Sequence, residues 1–188
     1  MTPLTASATL PLVVELRTQA GDVLTDRRAV DEMITPCRVQ AVPVPGGIAD
    51  LLDHAPLTDD EHARLLAHAD PTVTAECTAA GWPPPLAQVF WPGMPDTLEQ
   101  MVAGYAPPHT NPADEVHHVL AGRVQFGIVR VDGIQVLLTL GPGDAFHLRA
   151  GTEHWSVLSP ERRLTAVVYL SLAPGFAHHY TGTAIRIT

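Results

Sequence analysis

The C-terminal part of the chain leaves few folds open. From residue 109 onward it is a series of short strand-forming runs, each closed by a turn signal. "VQFGIVRV" alternates apolar and polar residues over 124–131, and "IQVLLTL" returns over 134–140. Asp132-Gly133 stands between them, a pair suited to a tight hairpin whose central residues take positive φ. "GPGD" at 141–144 is a second turn, followed by "AFHL", "HWSVL" and "LTAVVYLSL". Several strands at about 8–12-residue spacing predict an all-β sandwich or barrel.

Residues 1–108 have a different texture, helices joined by proline-rich connections. A strand is expected over 12–16. A helix is expected over 25–34, with Ala29, Val30, Met33 and Ile34 on one face and Pro36 beyond its end. Thr58 and Glu61 form a capping box for another helix. Asp70-Pro71 opens a third, which ends near Gly81. "LAQVFW" is a candidate strand inside a proline-rich stretch. "DTLEQMVAGY" predicts a helix capped through Asp96 and Glu99, with Leu98, Met101, Val102 and Tyr105 on one apolar face. No linker separates the halves, so one domain over 1–188 is expected, with 1–108 packing on a barrel formed by 109–188.

Composition narrows the function. Charged residues make up 16% and hydrophobic ones 46%, as in a folded globular chain. Eleven basic against 20 acidic residues give a net charge of −9, which argues against nucleic acid or an anionic membrane as partner. No run of about 20 apolar residues suggests a membrane span. The first residues lack the basic start of a secretory signal, and two distant cysteines imply no disulfide framework, so the cytoplasm is expected. Oligomeric state is not legible.

Chemistry concentrates in "HTNPADEVHHVLAG" at 109–122 and in "GDAFHLRAGTEHW" at 143–155. His109, Glu115 and His154 are candidate metal ligands brought together from separate strands. Two imidazoles and a carboxylate suit Fe(II) with positions left for substrate and O₂. His117, two residues after Glu115 on a strand, shares its face and is a candidate general base or oxyanion anchor. His118 points away, and His147 is ambiguous. His54, His62 and His68 read as solvated. His178 and His179 read as surface residues, unless the tail covers the barrel mouth. Asn111 either coordinates weakly through its amide oxygen or leaves its place to water or substrate. Metal affinity below that of a three-histidine, one-glutamate site follows in both cases.

The first of these segments resembles the first cupin motif, His-x-His, Glu and Gly, with Asn111 at the second histidine. The second is similar to the other cupin motif at Gly143, Gly151 and His154, with Arg149 in place of its proline. Together with "LTAVVYLSLAPGFAHHYTGT" over 164–183, they resemble the acireductone dioxygenases, cupins of methionine salvage. The resemblance implies a mainly β, jelly-roll cupin barrel with N-terminal helices, holding Fe(II) or Ni(II), with Mn(II), Co(II) and Zn(II) also open. Three positions depart from the family pattern: His117 and Val168 stand where arginines are usual, and Ser156 where an aromatic is usual. The expected function is an Fe(II)-dependent dioxygenase using O₂ on a small oxygen-chelating substrate other than acireductone, with Trp155 and Ser156 shaping the pocket. The alternatives are a non-redox cupin (cyclase, lyase or isomerase) and an inactive binding module.

Overall fold

The alternating runs become strands because one side of each can be buried between two sheets. The computed structural model describes residues 14–187. Strands are β1 (Glu15–Thr18), β2 (Val23–Leu24), β3 (Arg38–Ala41), β4 (Leu86–Phe90), β5 (His109–Thr110), β6 (Glu115–Gly122), β7 (Val124–Val129), β8 (Gln135–Leu140), β9 (Asp144–Leu148), β10 (His154–Leu158), β11 (Leu164–Leu170) and β12 (His179–Tyr180). Helices are α1 (Arg27–Ile34), α2 (Ala49–Leu52), α3 (Asp59–Ala67), α4 (Pro71–Ala79) and α5 (Asp96–Tyr105). Residues 12 and 13 of the strand expected over 12–16 lie outside the described residues.

The strands form two antiparallel sheets. One has the order β12-β5-β10-β7-β8-β1-β2, the other β3-β9-β6-β11-β4. Leu16, Phe126, Ile128 and Leu138 from the first meet Val39, Val119, Phe146 and Ala166 from the second in one buried core. This is the expected cupin barrel. Alternation then sends Val116, Leu120, Val167 and Tyr169 to the outer face of the second sheet. There Ile48, Leu51, Leu65, Val73 and Cys77 cover them. His118 lies on that outer face, as parity predicted, and its Nε2 donates to the Val42 carbonyl at 3.0 Å.

Local signals were mostly honoured. Thr58 and Glu61 make the reciprocal capping box of α3. The Asp70 carboxylate accepts from Thr72 and Val73 at the start of α4. Two expectations fail. The N-cap of α5 is Pro95, which has neither a polar side chain nor an N–H, so Asp96 falls inside the helix and no side-chain cap bond forms, and Glu99 pairs with Arg162. The Asp132-Gly133 turn does not have positive φ at both residues. Only Gly133 does, at 77°, while Asp132 accepts from the Ile134 amide and Arg130 N pairs with Ile134 O. The hairpin loop is therefore three residues long, with glycine at its left-handed position.

Candidate metal centre

β5 and β10 place the two outer candidates side by side. His154 and His109 are direct register partners across that pair, and their ring centroids are 4.3 Å apart. His109 Nδ1 donates to the Pro107 carbonyl at 2.8 Å, and His154 Nδ1 donates to the Thr152 carbonyl at 2.9 Å. A carbonyl can only accept, so each Nδ1 carries a proton, and in the neutral ring Nε2 keeps its lone pair. Metal-binding imidazoles are oriented in this manner. Burial pushes the His154 pKa down to about 4, so the ring is neutral at pH 7.

Glu115 and His117 enter from β6 on the inward face. Both Glu115 oxygens are engaged: Asn111 Nδ2 donates to Oε1 at 2.6 Å and His117 Nε2 donates to Oε2 at 2.7 Å. Glu115 is 6% exposed. Burial raises its pKa, but the hydrogen bonds and charges around it outweigh that and hold the carboxyl below its usual range. Asn111 is fixed from both ends, because its amide oxygen accepts from His178 Nδ1 at 2.7 Å.

These side chains line a cavity of about 690 Å³. Leu98, Met101, Val102 and Tyr105 of α5 form part of its wall, so the predicted apolar face serves the cavity. Ser156 lines it and Trp155 does not. This corrects the expectation that Trp155 shapes the pocket. On β10, His154 and Ser156 point inward, so Trp155 must point outward. There it packs with Leu137 and Ile187, facing Gly127. His178, expected at the surface, lines the cavity instead. His62, expected to be solvated, also reaches the wall. His147 lies outside, 3.8 Å from Asp114, which also pairs with Arg149 at 2.9 Å.

Among the described residues, no group of three or more His, Cys, Asp or Glu side chains is poised to hold a metal ion. The Glu115 carboxylate is committed to Asn111 and His117 instead. The donor chemistry nevertheless fits a divalent cation: two imidazoles with anchored Nδ1 and a buried carboxylate converge on one cavity. Each Glu115 oxygen accepts one hydrogen bond and keeps a second lone pair, so the carboxylate can ligate an ion without giving up either partner.

No family model matches the chain. It is 31% identical over 175 residues to an acireductone dioxygenase of Trichodesmium erythraeum, spanning 91% of this chain and 96% of that protein. The chain belongs to the acireductone dioxygenase family. A family member from Rhodopseudomonas palustris is 36% identical over 146 residues, 78% of this chain and 83% of that one. The fold also matches an acireductone dioxygenase from Bacillus anthracis with a cadmium ion in its active centre. The TM-score is 0.77 at 17% identity, over 92% of this chain and all of that one. Membership in the acireductone dioxygenase family makes the chain an oxidoreductase, a metal-dependent dioxygenase.

The three departures from the family pattern converge in space. His117, Ser156 and Val168 all line the cavity, and Val168 is the direct cross-strand partner of His117. No helix among the described residues is long and apolar enough to cross a membrane.

Proposed function

We propose that the chain is an Fe(II)-dependent dioxygenase that cleaves or oxidises a small, oxygen-chelating organic substrate other than acireductone. His109, Glu115 and His154 hold the metal. The observation that carries the substrate reading is the cavity wall: among the described residues, no lysine or arginine lines it. An anionic enediolate would meet no fixed cation there, and histidine and valine do not reproduce the bidentate geometry of arginine. Leu86, Phe90, Leu164 and Val168 instead offer apolar surface. Each Å² of apolar substrate buried against them contributes about 25 cal/mol. The substrate is therefore a neutral enol or diketone with an apolar tail.

When bound, iron supplies the electron donation through which O₂ and an organic molecule react. Nickel, manganese, cobalt and zinc share the same donor set. The protein's own part is positioning and proton handling. His117 donates Nε2–H to Glu115, which leaves Nδ1 to accept a proton from a substrate hydroxyl. The Glu115 carboxylate behind the ring steadies the imidazolium that results. The Ser156 hydroxyl offers a hydrogen bond from the wall, and α5 contributes apolar side chains to it.

An oxygen electrode tests this with the iron-loaded protein, acireductone, and a neutral 1,3-diketone bearing an alkyl or aryl tail. The diketone should consume O₂ with kcat/KM at least about tenfold above acireductone, a preference of roughly 1.4 kcal/mol. Faster turnover of acireductone would overturn the substrate reading. Equal product formation without O₂ would overturn the dioxygenase reading.

A further inference from the structure

We infer that His178, from the C-terminal tail, supplies the imidazole that Asn111 withholds, so that His109, His154, His178 and Glu115 hold the metal together. This rests on the proposed metal centre and adds a ligand to it. The His178 ring centroid is 4.6 Å from that of His109, close to the 4.3 Å between His109 and His154. All three rings are anchored alike. Nδ1 of His109 and of His154 donates to a backbone carbonyl, and Nδ1 of His178 donates to the Asn111 amide oxygen. In each case Nε2 is left as the donor atom for a metal.

Asn111 itself is engaged. Its oxygen accepts from His178 and its nitrogen donates to Glu115, so both ends of the amide are already held by neighbouring side chains. The residue that departs from the motif thus orients two of the four ligands. The tail is held firmly enough to carry one. His179 pairs with Thr110 and Tyr180 with His109 in the β12–β5 ladder. Thr181 N donates to Pro108 O at 3.0 Å, and the Tyr180 hydroxyl donates to Gly104 O at 3.2 Å. Phe176 lines the same cavity just before His178.

The test uses cobalt(II) chloride added to the full chain. Titration gives affinity, and proton NMR of the Co(II) protein counts the hyperfine-shifted, exchangeable imidazole N–H signals. Three signals are expected in the native protein and two in His178→Ala, with affinity at least about tenfold weaker, the scale on which even outer-sphere partners act. His178→Gln keeps a hydrogen-bond donor beside Asn111 and should also show two signals, which separates ligation from mere support of Asn111. Asn111→His in the His178→Ala background should restore the third signal and the tight binding. Two signals in the native protein, unchanged in His178→Ala, would overturn the assignment and leave the three-ligand centre standing. No Co(II) binding by the native protein, or binding unaffected by His109→Ala, would overturn both.

Discussion

Gly127→Ala should be among the most damaging single-methyl additions in this protein. Gly127 on β7 pairs with Trp155 on β10. A Cβ at Gly127 would stand 2.0 Å from Cε2 and Cζ2 of the Trp155 indole and 2.4 Å from Cδ2. Carbon atoms settle at about 3.5–4.0 Å, so the overlap is roughly 1.5 Å. The ring is 2% exposed and packed with Leu137 and Ile187, so it must leave its site. A large aromatic buries about 150–250 Å². At about 25 cal/mol per Å² its eviction forfeits roughly 4–6 kcal/mol, and partial relaxation brings the expected loss to about 3–5 kcal/mol. Urea unfolding followed by circular dichroism measures it. Trp155→Leu removes the colliding ring, so the double variant should be more stable than Gly127→Ala alone. A loss below about 1 kcal/mol, or an equal loss in the Trp155→Leu background, would refute the reasoning. Because His154 adjoins Trp155 on the same strand, Gly127→Ala should also weaken metal binding.

Acid should destabilise the fold early. Burial lowers the pKa of His118 and His147 and takes His154 down to about 4. In the unfolded chain these rings titrate near about 6.5, so below that pH the unfolded state binds more protons and stability falls as pH falls. Glu115, lowered in the fold, acts in the same direction below its unfolded value. For His154 alone the loss by pH 5 is about 2 kcal/mol, and the melting temperature should drop by about 4 °C or more between pH 7.5 and 5; a flat profile would contradict this. Val168→Arg places a cation across from His117 and should shift kcat/KM toward anionic enediolates by about tenfold, with an unchanged preference counting against the reading of the wall. Asp144→Ala breaks the buried pair with Arg27 and the bond from Gly141 N. Urea unfolding should register a cost of about 3 kcal/mol, at the lower end for such pairs because Arg27 is 35% exposed. A change under about 1 kcal/mol would show that pair to be idle.

The barrel was legible because period-two alternation and turn residues are local. β6 to β11 follow from them almost residue by residue. The same parity put His117 inward and His118 outward, and applied to β10 it would have turned Trp155 away from the pocket. Its place beside His154 in the sequence obscured that. What sequence could not give was long-range pairing. β5 and β12 are two residues each, too short for any periodic signal, and their pairing is what brings His178 over the centre. The fate of Asn111 was unreadable for the same reason, since the partner of its amide oxygen, His178, depends on that closure. Asp132-Gly133 misled because an aspartate that caps its own turn through its side chain needs no positive φ.

In the proposed centre, the side chains of His109, His154 and Glu115 grip a divalent metal inside the barrel. Elemental analysis of the native protein and of Glu115→Ala, both purified without chelator, tests it most directly. About one equivalent of transition metal in the native protein and a small fraction of that in Glu115→Ala is the predicted result. A metal-free native protein that stays so with metal supplied, or equal loading of the two, would contradict it.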